Sequence, residues 1–264
     1  MNAVKSESLE QFLNRFSHNT GFEVSAKYKP INTRTVVNLF RDAGFEVNRW
    51  GASRVNKIEK SGFQPHSIWF RHTKISGFRS NAIPEIQLLS SYDGSCAYRL
   101  YKALFRPVCS NGLVLPTSEG FARVVHVGAA VEKAVNEALR LIGESETMLS
   151  MVDKMETKQL SALQSIEFAK NAGKLVFPEG ALFEASKLLT SRREADESTD
   201  LWTVFNVVQE NLLNGGAKYL MPKIIQSNSM DFQKRTTRKM QSLERVIKLN
   251  QDLFSLAQNY LEGV

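Results

Sequence analysis

The sequence predicts an α+β protein: an N-terminal mixed or antiparallel sheet with short helices, and a C-terminal helical half packed on it. Three observations predict it. Over the first 115 residues, apolar side chains gather in short strand-like runs around two short helical stripes. From Ser118 onward the apolar spacing changes to a helical period. Between the last two strand-like runs stands Asp93–Gly94, a pair whose tolerance of positive φ suits a hairpin turn. The composition agrees with such a fold, since 42% of the 264 residues are hydrophobic and 23% charged, the usage of an ordinary globular chain.

Each element follows in order. Leu9, Phe12, Leu13 and Phe16, three and four apart, predict a short amphipathic helix. Thr33 is placed to cap a second helix that turns Val36, Val37 and Phe40 inward and stops at Gly44. Strands are expected at residues 22–28, 45–50, 67–72 and 85–91. A longer one is expected over 97–108, where Pro107 marks an end or an edge. A helical stripe then runs from Phe121 through Val124, Val131, Val135 and Ala138 to Ile142. Met148, Met151 and Met155, then Leu160, Leu163, Ile166 and Phe168, continue the pattern to Gly173. Pro178 suits the first turn of a helix over 179–190, and 191–199 reads as a charged loop. A helix over 201–213 closes at Gly215–Gly216, and the last helix buries Leu243, Val246, Ile247, Phe254, Ala257 and Leu261. The change of class near 115 separates a basic sheet region, 1–115, from a helical region, 116–264, within one compact unit.

Several function classes are absent from the sequence. No apolar stretch is long enough to span a bilayer, and the segment up to Arg15, with Glu7 and Glu10, does not read as a secretory leader. No membrane partner is therefore expected. The two cysteines, Cys96 and Cys109, suit a reducing cytoplasm, the expected location. Cys96, Cys109, His66 and His72 lack the paired short spacings of a closed zinc site, so no metal is expected. No nucleophile elbow, phosphate-binding lysine loop or dinucleotide turn occurs, and neither a catalytic residue nor a cofactor is expected. Asn206 and Glu210, one turn apart, and Asn250 on the seam of the last helix read as buried hydrogen-bonding groups.

Charge gives the positive signal. The net charge is +7, and residues 1–120 hold 16 Lys and Arg against 9 Asp and Glu. Residues 121–222 hold 11 against 14, and residues 223–264 hold 7 against 4. Alternation along a strand puts Ser67, Trp69 and Arg71 on one face and Ile68 and Phe70 on the other. Arg99, Tyr101 and Phe105 likewise share a face, with Leu100 and Leu104 opposite. A sheet face of this kind suits single-stranded nucleic acid. Arg71, Arg99, Lys102 and Arg106, with Lys27, Lys29 and Arg79 nearby, are expected to track phosphates. Trp69 and Tyr101 are expected to stack bases, each stacked base contributing about 1–3 kcal/mol. The second basic cluster, Lys234, Arg235, Arg238, Lys239, Arg245 and Lys248, reads as the solvated side of a helix.

The run from Ser91-Tyr92-Asp93-Gly94-Ser95 to Tyr101, followed by Phe105-Arg106-Pro107-Val108-Cys109-Ser110-Asn111-Gly112-Leu113, resembles the uncharacterised phage/plasmid-like protein family. Leu201-Trp202 through Asn206 and Glu210-Asn211 to Gly215-Gly216 agree, as do Arg245, Lys248-Leu249-Asn250 and Leu256-Ala257. The resemblance extends from about residue 20 to the C-terminus. It implies a phage, prophage or plasmid setting and a cytoplasmic location, and it supplies no activity. By fold-level analogy alone, a basic sheet with a helical half also looks like Rad52-type annealing proteins of phages.

The expected function is therefore DNA binding with a preference for single strands, strand annealing, and self-association through the helical half. The competing expectation is an interaction protein that blocks a host factor through an exposed apolar patch including Met148, Met151 and Met155.

Overall fold

A computed structural model describes residues 7–16, 18, 22–24, 30–73, 82–96, 98–107, 112–114, 122–123, 130–224 and 230–263. The chain divides into two compact units: Met1–Phe105 with Val114–Met148, and Arg106–Leu113 with Leu149–Val264. The division thus differs from the expected boundary near 115, because the first long helix packs on the sheet and belongs with it.

In the first unit, α1 (Leu9–Arg15) opens with a capping box. The Ser8 hydroxyl accepts from the Gln11 N–H at 3.2 Å, and Gln11 Oε1 accepts from the Ser8 N–H at 2.9 Å. α2 (Thr33–Asp42) is capped by Asn32, whose Oδ1 accepts from the N–H groups of Arg34 and Thr35. Thr33, the expected cap, is instead the first helical residue and turns inward. Gly44, at φ +89°, ends the helix as expected.

β1 (Phe45–Ala52), β2 (His66–His72), β3 (Ile83–Ser90) and β4 (Arg99–Phe105) form an antiparallel meander in that order. β5 (Gly112–Val114) and β6 (Ala122–Arg123) are short, and β6 pairs with β4. No strand forms over the described part of 22–28, residues 22–24, and 25–28 lie outside the described residues. Asp93–Gly94 does turn the chain between β3 and β4, with Gly94 at φ +71° and Asp93 Oδ1 accepting from the Ser95 N–H. The connection spans 91–98, longer than a two-residue hairpin, because Tyr92 reaches into the core within it.

α3 (Ala130–Gly143) begins later than the stripe from Phe121 implied, since Ala122–Arg123 is strand. Its Ala134, Ala138, Leu141 and Ile142 join Phe12 and Phe16 of α1 and Val37 and Phe40 of α2 in one core. Ile68, Phe70, Ile86, Leu88 and Leu100 supply the sheet's side of that core. The other sheet face carries the arginines.

His66 sits in this core, 1% exposed, with its ring 4.2 Å from that of Phe16. Its Nδ1 donates to the Gln64 carbonyl at 3.2 Å, leaving Nε2, 2.9 Å from Thr33 Oγ1, as acceptor. Thr33 in turn gives its N–H to Tyr92 Oη at 2.8 Å. Burial pushes the His66 pKa down from 6.5 to about 4. The unfolded chain therefore takes up a proton before the folded one as the pH falls. Stability is full above about pH 6.5, falls between there and pH 4, and levels off below, a loss on the order of 3 kcal/mol. Urea midpoints measured from pH 7 to pH 4 check this, and a flat profile between pH 6.5 and 5 contradicts it.

α4 (Ser145–Thr157) leads from the first unit into the second and buries Leu149, Val152 and Met155. α5 (Ala162–Gly173) opens with a second capping box, Ser161 with Gln164. The helix expected over 179–190 does not form: β7 (Leu182–Phe183) and a 3-10 turn at Ala185–Leu189 occupy it. Tertiary packing overrides the local pattern here, because the Phe183 ring stacks 4.1 Å from that of Phe177 while its backbone pairs with a later strand.

α6 (Leu201–Asn214) is buried from Leu201 to Leu212 and forms the centre of the unit. β8 (Lys218–Ile224) and β9 (Met230–Thr236) form an antiparallel hairpin, with β7 on the outer edge of β8. α7 (Leu243–Glu262), capped by Ser242, closes the chain. Gln209 donates to Asn250 Oδ1 at 2.7 Å, joining α6 to α7 through two buried amides. Among the described residues no helix is long and apolar enough to cross a membrane.

Candidate nucleic-acid interface

The outer sheet face is built as alternation requires. Arg49 lies opposite Trp69, Trp69 opposite Gln87, and Gln87 opposite Tyr101. At its centre is Glu85, whose side chain is 0% exposed. Its carboxylate accepts from Arg49 at 2.6 Å, Arg71 Nε at 2.9 Å and Asn48 Nδ2 at 2.8 Å. Both guanidiniums also lie over the Phe105 ring, at 4.7 and 4.8 Å from its centre, and Arg49 lies 4.8 Å from that of Trp69. This cluster is a packed ion site in which one carboxylate serves two guanidiniums.

That geometry redistributes the residues expected to bind nucleic acid. Trp69 is half-buried beneath Arg49. Arg71 is on the expected face, with its charge engaged by Glu85. Arg99 shares the face and is partly exposed. Tyr101 shares it too, but at 3% exposure it offers no ring surface for a base. Lys102, opposite Ile86, points to the other side of the sheet and pairs with Glu144, whose pKa it lowers by hydrogen bonding. Arg106 falls in the second unit, 4% exposed, and donates to Asp196 at 2.8 Å. Lys27, Lys29 and Arg79 lie outside the described residues. Lys102 and Arg106 are thus corrected to structural cations, and Tyr101 to a core residue.

The Arg106 pair belongs to a network within the second unit. Arg193 bridges Asp196 at 3.1 Å and Glu210 at 2.8 Å. Burial works against the Asp196 charge, and the Arg106 and Arg193 guanidiniums more than offset it, so its pKa lies below the usual value. The charged stretch 191–199 is therefore fastened through a buried ion pair. Asn206 and Glu210 are buried hydrogen-bonding groups as expected, Asn206 donating to the Trp202 carbonyl and Glu210 accepting from Arg193. Met148 and Met155 are buried, so the apolar patch expected of a host-factor blocker loses two of its three methionines.

The larger group of cations lies elsewhere. Lys218 and Lys223 on β8, Lys234 and Arg235 on β9, and Arg238 and Lys239 just after it are all exposed. None makes an ion pair with a described residue, and Asp231 is the one acidic residue between 218 and 239. Lys234 and Arg235 are strand residues, which corrects the helical reading of that cluster; of its six members only Arg245 and Lys248 lie on α7. The sequence held a signal for the hairpin. Two runs with polar and apolar residues interleaved flank Gln226-Ser227-Asn228-Ser229, a turn-forming composition.

The base of this ribbon is fixed to the core of its unit. The Gly216 N–H donates to the Thr237 carbonyl and the Met240 N–H to the Leu213 carbonyl, both at 2.9 Å. Gly215, at φ +69° and ψ −164°, lets the chain pass so close that an added Cβ would stand 2.5 Å from the Arg238 carbonyl carbon. Gly215→Ala is expected to lower stability by about 2 kcal/mol or more, because both the conformation and the space require glycine. Thermal melting checks this, and an unchanged melting temperature contradicts it.

The fold and this surface define an α+β protein of two units carrying a basic β-ribbon. The chain belongs to the family described as a domain of unknown function (DUF932), which matches residues 23–254. It is 30% identical over 248 residues to the UPF0380 protein YfjQ of Escherichia coli (strain K12), covering 93% of this chain and 87% of that protein. The UPF0380 protein YafZ of the same organism is 31% identical over the same shares. No solved structure matches the chain.

Proposed function

We propose that this protein binds nucleic acid, holding the phosphate backbone through the β8–β9 ribbon and the residues that follow it. One observation carries the reading: six exposed cations without ion pairs to described residues stand on one hairpin and its exit, with Asp231 the one acidic residue in that stretch of sequence and Glu184 beside Lys218, Lys234 and Arg235. Two strands held in register keep these charges at fixed spacing, as a regular polyanion requires. Lysines scattered on a flexible tail would lack that spacing. In the phage or plasmid setting that the sequence resemblance implies, the bound polymer is the element's DNA. The sheet face of Glu85, Arg49 and Arg71 then serves stability.

A salt titration of the full chain against fluorescent oligonucleotides tests the proposal. With up to six phosphates neutralised, the logarithm of the binding constant falls against that of salt concentration with a slope approaching about −4 on single strands and −5 on duplex. A salt-independent affinity, or none on either form, overturns it.

A further inference from the structure

Resting on that reading, we infer that the ribbon takes duplex DNA in particular, with the Pro222–Phe232 pair acting as a wedge between base pairs that bends the helix. Three features of the ribbon lead there.

The first is the placement of charge. Side chains of directly opposed residues share a face, so Lys218 and Lys234 lie on one side of the ribbon and Lys223 and Arg235 on the other. A single strand presents one line of phosphates and is met by one face. A groove of duplex DNA has a phosphate wall on either side, and the long Lys and Arg side chains of a ribbon lying in it extend past the ribbon's edges toward both.

The second is the ribbon's width. β7 pairs with β8 only at Tyr219 and Leu220. From Met221 outward the ladder is two strands wide, with no third strand among the described residues. Two strands about 4.8 Å apart, with their side chains, fit the major groove of regular duplex DNA, and the minor groove where bending has widened it.

The third is the apolar pair. Pro222 and Phe232 are cross-strand partners on the same face as Lys218 and Lys234, both are exposed, and Phe232 is 43% exposed. Proteins that grip single strands stack successive bases on several rings. This face offers one strongly exposed ring beside a proline, the composition of the apolar wedges that enter from the minor groove and unstack one base step. Pro222 cannot donate to a neighbouring strand, which suits its place beyond the reach of β7.

The test uses the full chain and a short duplex labelled at its ends with a donor and an acceptor dye, beside the matching single strand. The wild-type protein is expected to bind the duplex and draw its ends together. Phe232→Ala, compared at saturating protein, is expected to leave the duplex straight. Lys234→Ala is expected to bind more weakly and to bend fully at saturation. A duplex bound but straight with the wild type, or bent equally by Phe232→Ala, overturns the wedge. Binding confined to the single strand overturns the duplex assignment while leaving backbone binding intact. Salt-dependent binding to neither form overturns both.

Discussion

Glu85→Ala is expected to destabilise the first unit by about 3 kcal/mol. The carboxylate is wholly buried and joins Asn48, Arg49 and Arg71 across three strands. Removing one partner of a buried ion pair costs about 3–5 kcal/mol, because the remaining charge stays desolvated. The two arginine side chains are 23% and 27% exposed and regain some water, which places the loss at the lower end. Glu85→Gln, which keeps the volume and removes the charge, should lose most of the same stability. Urea denaturation followed by circular dichroism measures both. A loss below about 1 kcal/mol would mean that the arginines reach water as readily as they reach Glu85.

Replacing Lys218, Lys223, Lys234 and Arg235 together by alanine is expected to weaken nucleic-acid binding on the order of 10³-fold near 0.1 M salt. Each neutralised phosphate accounts for about five- to eightfold there, and the salt slope should fall by about three. These side chains are exposed and make no described ion pair, so the fold and its melting temperature should change little. Arg71→Ala, whose charge is already taken by Glu85, should leave affinity nearly unchanged. If Arg71→Ala abolishes binding and the ribbon variant does not, the contact surface is the sheet.

The parts legible in the sequence were those set by period and by caps. The alternation of Ser67, Trp69 and Arg71 against Ile68 and Phe70 is the division between outer face and core that the sheet displays. Gly44 and Gly215 stop their helices where expected. What could not be read was which charges meet across strands. Glu85 lies 14 residues from Arg71 and 36 from Arg49, and only the register brings the three together. The same limit made Arg106 look like a surface cation, since its partner Asp196 is 90 residues away.

The ribbon was misread for a different reason. Lys234, Arg235, Arg238 and Lys239 recur at intervals that also fit a helix, and the true helix starts at Leu243. A charged run without apolar period carries no mark of its own secondary structure. The strand pattern lay in Phe232, Lys234 and Thr236 set against Pro222, Leu220 and Lys218, and it becomes evident once the two runs are paired.

Cross-linking the full chain to a photoreactive oligonucleotide, followed by peptide mapping, tests most directly where nucleic acid sits. The account predicts adducts on peptides from residues 218–239. Adducts confined to β2 and β4, with the ribbon peptides unmodified, would contradict it.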